Sequence, residues 1–276
     1  MATDEIAMKL FAVSVVLCLI AGSAVADDMD DALAALKQAE PSKDAAKIKQ
    51  LAAAVHAAAL KLEATPPADV ADKDAYDARA KYAKEVDGYS EYALFALAVQ
   101  TPGPTALDLI ATLEKQNPKS QYLEDPGILM IQADNALTRN QLDRALAFAN
   151  RMIASANRKA PPEGVSAADW ETRRTTALGR GYWIAGVVQG EKNLFKDADR
   201  NLRAALPLIK GNNAMMGPAL FYLGVANYNI GKATLNKAKM LEAAKFSQDS
   251  AAIQGPYQDR AYRNALSIKT EAAQMR

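Results

Sequence analysis

Side chains able to carry out acid–base, nucleophilic or metal chemistry are few in this chain of 276 residues. It has one histidine, His56, and one cysteine, Cys18. His56 lies in the segment AAAVHAAALKL, which has a helical composition and no acidic or cysteine neighbour at the spacing of a metal site. Neither a histidine-based zinc site nor a histidine–cysteine dyad can be assembled from these residues. We therefore interpret His56 as a surface or helix-packing residue.

The other common catalytic patterns do not match either. A Ser-His-Asp triad would also need His56, and no serine stands in a G-x-S-x-G elbow. Gly179 and Gly181 are followed by Gly186, a spacing that fails the G-x-G-x-x-G pattern and favours close helix contact instead. A metal site made of carboxylates alone is disfavoured. We predict no catalytic residue, no cofactor, no metal site and a protein that is not an enzyme.

The N-terminal segment has the order of features typical of a secretory signal peptide. Lys9 precedes an apolar run from Leu10 to Ile20, and Ala24-Val25-Ala26 supplies a small-residue cleavage site. The run is about 11 residues long, whereas a membrane-spanning helix needs about 20. We predict that residues 1–26 are a signal peptide cleaved after Ala26, that Met8 also fits as the translation start, and that the mature protein is periplasmic or secreted. An uncleaved N-terminal anchor is the alternative.

Composition restricts the partners of the mature chain. Cleavage would remove Cys18, so we expect no disulfide and stability from packing alone. The 33 basic and 32 acidic residues give a formal charge of +1, without the basic excess that nucleic-acid binding requires. Half of the residues are apolar, enough for a large core or a long solenoid. We predict no nucleic-acid partner and no membrane insertion after signal cleavage.

Residue usage and punctuation predict an all-α protein. Alanine, leucine, lysine, glutamine and glutamate dominate, and most prolines and glycines fall between helical windows. Ser166 and Asp169 match a capping arrangement at a helix start. We expect antiparallel helical hairpins. The predicted helices lie near 29–38, 43–63, 72–100, 104–116, 126–138, 142–158, 166–191, 195–206, 215–230, 233–253 and 257–274.

Small residues recur where paired helices would cross closely, in a pattern that resembles the tetratricopeptide-repeat family. In GYWIAGVVQGEKNLFKDADRNLRAALPLI, Gly186 is followed by an A-x3-L-x2-A pattern that begins at Ala198. The segment LFYLGVANYNIGK, with Gly224, begins a second copy, and ILMIQADNALTRNQLDRALAFANRMI, with Ala133, is a weaker one. The resemblance implies a right-handed α-solenoid of antiparallel helical hairpins, a tetratricopeptide-like superhelix of a divergent, exported bacterial type.

The match to the family is partial. Ala133, Gly186 and Gly224 are 53 and 38 residues apart, against about 34 in the ideal unit. We expect the third unit to carry about two extra helical turns around Thr234 to Leu241. The resemblance extends from about Pro126 to Gln258. We divide the chain into a signal peptide (1–26), divergent helical hairpins (27–120), tetratricopeptide-like repeats (121–258) and a C-terminal capping helix (259–276).

The resemblance also implies a partner-binding groove lined by the first helix of each pair. Aromatic rings provide large contact areas at low entropic cost, so Trp183, Phe221 and Tyr228 are the expected anchors. Core packing between hairpins is the alternative for these rings. Some family members bind a C-terminal carboxylate through Lys and Asn at groove positions. This sequence has other residue types at the corresponding positions, so binding of such a C-terminus is not predicted. The groove positions carried over from the family are Arg180, Trp183, Val187 and Glu191 in the middle repeat, Pro218, Phe221, Val225, Tyr228 and Asn229 in the next, and Met130, Asp134 and Leu137 in the weak first repeat.

Three functional hypotheses follow. The first is an exported adaptor or scaffold whose groove binds a protein or peptide segment of another envelope or secreted protein. The second is a structural component that self-associates, as a homo-oligomer, within an envelope complex. The third is a helical-solenoid enzyme acting on cell-wall sugars, which the absence of a recognisable acid–base set disfavours. We predict the first.

Overall fold

The computed structural model describes residues 24–64, 73–158, 161 and 166–275. These residues form eleven α-helices and no strand, which confirms the predicted all-α class. Residues 1–23 of the predicted signal peptide, which include Met8 and Cys18, lie outside the described residues. The helices are α1 (Ala24–Ala39), α2 (Ala45–Glu63), α3 (Lys73–Ala98), α4 (Pro104–Gln116), α5 (Pro126–Thr138), α6 (Leu142–Ala156), α7 (Ala167–Glu191), α8 (Phe195–Ala205), α9 (Asn213–Ala233), α10 (Lys237–Ala251) and α11 (Gln258–Gln274).

Each predicted helix is present, and local sequence signals explain most of their ends. Pro104 and Pro126 open α4 and α5, where a missing backbone N–H costs no helical hydrogen bond. The Ser166 hydroxyl accepts a hydrogen bond from the Asp169 backbone N–H, as the predicted cap requires. The largest difference is at α1, which begins at Ala24 rather than near residue 29. Within the described ranges, none of the helices combines the length and apolarity needed to cross a bilayer.

The helices belong to two compact units, the first ending at Leu123 and the second beginning at Glu124. In the first unit α1 to α4 pack against their neighbours in the chain, and α2 also contacts α4. In the second unit every helix from α5 to α11 packs against the next one. The odd-numbered helices of this unit also contact one another, α5 with α7, α7 with α9, and α9 with α11. The architecture of the second unit is therefore repeat-like.

Three hairpin turns in the second unit have the same geometry. Each is centred on a residue with a left-handed backbone, Asn140 (φ 55°), Asn193 (φ 60°) or Leu235 (φ 49°). The N–H of the following residue closes the preceding helix with a 2.8 Å hydrogen bond to the carbonyl five residues earlier. The turns join α5 to α6, α7 to α8, and α9 to α10. Three equivalent hairpins, α5–α6, α7–α8 and α9–α10, therefore follow one another.

These turns correct the predicted register of the third repeat. Gly186 and Ala133 both stand seven positions before the turn residue, and the equivalent position in α9 is Tyr228 rather than Gly224. The predicted alignment was therefore wrong by four residues, one helical turn. The two extra turns expected around Thr234 to Leu241 are also wrong, because that stretch contains the hairpin turn and the start of α10.

Glycines allow the helices of the α7–α8 and α9–α10 hairpins to approach closely, as predicted. A Cβ added to Gly186 of α7 would lie 2.5 Å from Leu202 Cγ of α8 and 3.1 Å from the Leu202 backbone nitrogen. A Cβ on Gly231 of α9 would lie 3.0 Å from the Met240 backbone nitrogen of α10. Gly181 has the same role toward α6. Backbone contact at these points places α7 and α9 at the centre of the second unit.

Both central helices are buried over most of their length. Between Ala177 and Gly190 of α7, only Arg180 and Tyr182 have more than marginal exposure. The equivalent part of α9, Met215 to Asn227, is similarly enclosed. Neighbouring helices pack on several sides of α7 and α9, and a helix buried in this way has no amphipathic stripe. The core of the second unit therefore extends along these two helices.

Candidate functional site

Three of the predicted groove residues belong to the core. Trp183, Val187 and Phe221 are 8%, 4% and 2% exposed. The Trp183 indole N–H donates a 2.8 Å hydrogen bond to the backbone carbonyl of Met215, which ties α7 to α9. The interpretation of Trp183 and Phe221 as exposed anchors therefore needs correction, and the alternative of core packing describes them. The physical reason is that α9 and α11 cover the faces of α7 and α9 on which these side chains stand.

The Phe221 ring is part of an aromatic cluster between α9 and the start of α11. Its centroid lies 4.7 Å from that of Tyr257 and 5.2 Å from that of Tyr222, and the Arg260 guanidinium stands 4.9 Å from it. Burial, followed by the hydrogen bond with Tyr257, raises the pKa of Tyr222. The neutral Tyr222 hydroxyl donates to Glu191 Oε1 at 3.0 Å. This cluster fixes the end of the repeat array.

Arg180 is a half-buried predicted residue that links two first helices. Its Nη2 lies 2.6 Å from Asp134 Oδ1 on α5, and its guanidinium stands 4.7 Å from the Trp183 ring. A guanidinium held by a carboxylate on one side and a ring on the other has little freedom to reorient. Arg180 therefore presents a fixed cationic group that is already paired.

Val225, Tyr228 and Asn229 stand on α9 with intermediate exposure. The Asn229 amide donates to the backbone carbonyl of Val225, 2.8 Å away on its own helix. The Tyr228 hydroxyl lies 3.0 Å from Glu271 Oε2 and therefore connects α9 to α11. The structure brings Val225 and Asn229 together one turn apart, whereas Tyr228 is engaged with the last helix.

The hairpin turns give an independent register for the groove positions. Met130, Trp183 and Val225 each stand ten positions before a turn residue. Asp134, Val187 and Asn229 each stand six positions before one, so the two sets are equivalent across α5, α7 and α9. Phe221 and Tyr228 fall outside both sets because of the one-turn register error. The half-exposed members of these two sets are Met130, Asp134, Val225 and Asn229. Together with Arg180, which is paired with Asp134, they form what we call the first-helix row.

A second site lies in the first unit and involves His56. The His56 Nδ1 is 2.8 Å from Asp87 Oδ1 on α3, and both side chains are about four-fifths buried, with 17% and 21% exposed. The Ser90 hydroxyl lies 3.3 Å from the same Asp87 oxygen and donates to the Asp87 backbone carbonyl at 2.8 Å. A carboxylate at Nδ1 orients the ring and leaves Nε2 as the nitrogen that faces elsewhere. The expectation that His56 packs between helices is therefore incomplete, because it also has an acidic partner.

His56 lines an open cleft of about 840 Å³ between α2 and α4. From α2 come Ala46, Lys49, Gln50, Ala53 and His56, which repeat at the spacing of one helix face. From α4 come Asp108, Ala111, Thr112, Lys115 and Gln116, again one face. Sequence reasoning missed this site because Asp87 is 31 residues from His56, so no local spacing signals the pair.

The described part of the chain contains no group of three or more histidine, cysteine or acidic side chains able to hold a metal ion. Several of its ion pairs connect helices, as Arg180 does with Asp134 and Arg203 with Glu242. No family model, curated protein or solved structure matches this chain.

Proposed function

We propose that this protein is exported to the periplasm or beyond and acts as a non-enzymatic, tetratricopeptide-like scaffold that binds an extended segment of another envelope or secreted protein. The proposed arrangement is a right-handed solenoid of hairpins. The observation that carries the proposal is the set of three equivalent hairpin turns, together with the contacts that join α5, α7 and α9. Stacked hairpins of this kind present their first helices as a continuous binding surface.

The first-helix row is the proposed contact surface. Met130 and Val225 offer partly buried apolar groups, and Asn229 offers an amide oxygen one turn from Val225. The cation of Arg180 is neutralised by Asp134. Such a row suits an uncharged segment with apolar side chains better than an acidic or basic one. Trp183 and Val187 occupy the equivalent positions of α7 and are buried.

Site-specific photocrosslinking tests this proposal in cells that make the protein. A benzophenone amino acid replaces Val225 in the row, and the matched control replaces Lys245, an exposed residue of the second helix α10. We expect a discrete crosslinked partner at position 225 and none at position 245. A pattern of crosslinks that is the same at both positions, or empty at 225 in the folded protein, contradicts the proposal.

One observation favours self-association as a second candidate function. Tyr262 and Leu266 stand one turn apart on α11 and are 60% and 51% exposed. Adjacent exposed apolar side chains on a terminal helix are typical of contact surfaces. Light scattering at increasing protein concentration tests this alternative. A mass that stays monomeric throughout excludes it.

A further inference from the structure

Four aromatic side chains of the first unit form a continuous, partly exposed surface. Tyr89, Tyr92 and Phe95 follow one another at three-residue intervals along α3, and the centroids of successive rings are 6.2 and 6.3 Å apart. The Tyr122 ring, which comes after α4, is stacked on Phe95 at 4.9 Å and lies 6.1 Å from Tyr92. Tyr92 is 38% exposed, and the other three residues are half-buried. We call these four residues the aromatic platform.

The other described helices leave the face of α3 around Tyr92 open. Gly88 stands one turn before Tyr92, and a Cβ added there would have no atom within 4 Å. Val99 stands two turns after Tyr92 and is 41% exposed. Exposed apolar side chains that adjoin one another in this way are typical of contact surfaces, unlike single exposed residues.

Three charged groups adjoin the platform, and all three are engaged by other side chains. Lys37 Nζ stands 4.9 Å from the centroid of the Tyr89 ring, and Glu40 Oε2 accepts a 3.0 Å hydrogen bond from the Tyr89 hydroxyl. Glu91 is buried and accepts a 2.7 Å hydrogen bond from the side-chain amide of Asn117. A ligand on the platform therefore meets ring faces and hydroxyl groups rather than free charges, which favours an uncharged partner.

The backbone of α3 restricts how a peptide can bind to this surface. The backbone hydrogen bonds of a helix are used within the helix, so a peptide cannot bind by strand addition and must contact side chains. A polyproline II helix needs no backbone partner, because its carbonyl groups face outward without internal hydrogen bonds. The Tyr92 hydroxyl has no hydrogen-bond partner among the described residues and can donate to such a carbonyl.

The length of the platform also suits a polyproline II segment. Tyr89 and Phe95 are six residues apart, which corresponds to a rise of about 9 Å along α3. One turn of a polyproline II helix has three residues and also rises about 9 Å. Prolines three residues apart can therefore contact different rings of the platform.

We propose that the aromatic platform binds an uncharged, proline-rich segment of a partner protein in the polyproline II conformation. Proline rings pack on Tyr92 and its neighbours, and the Tyr92 hydroxyl donates a hydrogen bond to a carbonyl group of the segment. The platform lies in the first unit and shares no residue with the first-helix row. A negative result at the platform therefore leaves the proposed scaffold function untouched.

Calorimetric titration of the full protein with decaproline tests the proposal. A glycine–serine decamer is the control peptide, because it is uncharged but flexible. Cellohexaose is titrated as well, since sugar rings can also stack on aromatic side chains. We expect saturable binding of decaproline, and affinities at least about tenfold lower for the other two ligands, because only decaproline is pre-formed in the bound conformation.

Two pairs of tyrosine variants distinguish the platform from other exposed rings. Tyr92→Ala should weaken decaproline binding about tenfold, the loss typical of a central contact residue. Tyr262→Ala removes a more exposed ring from α11 and should change the affinity less than about twofold. Tyr92→Phe keeps the ring and its packing and should weaken binding about threefold through the lost hydrogen bond, whereas Tyr262→Phe should not change it.

Circular dichroism verifies that the variants are folded, and the phenylalanine pair carries the comparison if Tyr92→Ala does not fold. The proposal is overturned if decaproline shows no saturable binding or if the glycine–serine decamer binds as tightly. Equal weakening by the Tyr92 and Tyr262 variants also overturns it. Saturation by cellohexaose without binding of decaproline overturns it in favour of a carbohydrate ligand.

Discussion

Asn227 of α9 provides the sharpest test of how the second unit is held together. It is fully buried, with 0% exposure. Its Nδ2 donates to Asp199 Oδ1 at 2.6 Å and to the Leu223 carbonyl at 2.9 Å. Its Oδ1 accepts from Lys239 Nζ at 2.8 Å and from Arg203 Nη2 at 3.2 Å. One amide therefore joins charged groups of α8 and α10 through the central helix.

The magnitude of an Asn227→Ala change follows from what its partners retain. Arg203 keeps both Asp199 and Glu242 at 2.8 Å, and Lys239 keeps Glu242 at 2.9 Å, so no charge loses its last partner. Three hydrogen bonds to charged groups are lost, each worth about 1.5–3 kcal/mol in isolation, but the partners pair with one another instead. We expect the free energy of unfolding to fall by about 2–4 kcal/mol.

Asn229→Ala is the matched control, since it makes the same substitution two residues later on the same helix. The Asn229 side chain is half exposed and donates to a carbonyl of its own helix. Both variants gain the same helix propensity of roughly 0.5 kcal/mol, so their difference isolates the buried network. Urea unfolding is followed by tryptophan fluorescence, because both tryptophans, Trp170 and Trp183, lie in α7 of the second unit. A difference between the variants below about 1 kcal/mol refutes the reasoning.

Three further predictions concern helix contacts, a turn and pH. In thermal unfolding, Gly186→Ala should destabilise the protein by about 1–3 kcal/mol because the added Cβ meets Leu202. Gly88→Ala, inside α3 with nothing within 4 Å of the added Cβ, should stabilise the protein by roughly 0.8 kcal/mol. Equal effects of the two substitutions would contradict the packing. Leu235→Asn should stabilise the protein by about 1 kcal/mol, because Leu235 has φ 49° and the equivalent turns have asparagine at this position. Asn193→Leu should lower the free energy of unfolding in urea by a similar amount. Burial raises the pKa of Glu242, but hydrogen bonds from Lys239 and Arg203 outweigh it and lower the pKa below 4.5 overall. The contribution of Glu242 to the free energy of unfolding is therefore present above about pH 4.5 and is lost as pH falls through the lowered pKa. Glu242→Gln should destabilise the protein at pH 7, and its free energy of unfolding should converge with that of the wild type in acid. A difference in stability that persists in acid contradicts this.

Helix type and position were predictable because they depend on local signals. Proline at the first turn, as at Pro126, and a capping side chain, as at Ser166, act within a few residues of where they stand. The direction in which a side chain faces was not predictable in the same way. Trp183 is buried because α9 comes to it from 32 residues away, where Met215 accepts its N–H. The interpretation of His56 was incomplete for the same reason, since its partner Asp87 lies on another helix.

The register error shows what a repeat of variable length hides in a sequence. The first helices α5, α7 and α9 are 13, 25 and 21 residues long, so no fixed period relates them. Their C-terminal turns nevertheless share one geometry, which means that the hairpins differ in length at the opposite end. Small residues stand on both sides of each crossing, so aligning Gly224 with Gly186 was locally reasonable yet one turn out of register. Counting back from the left-handed turn residue removes the ambiguity, because that position must adopt positive φ whatever the helix length. The same counting selects Val225 and Asn229 over Phe221 and Tyr228 as the residues of α9 that a bound segment would meet.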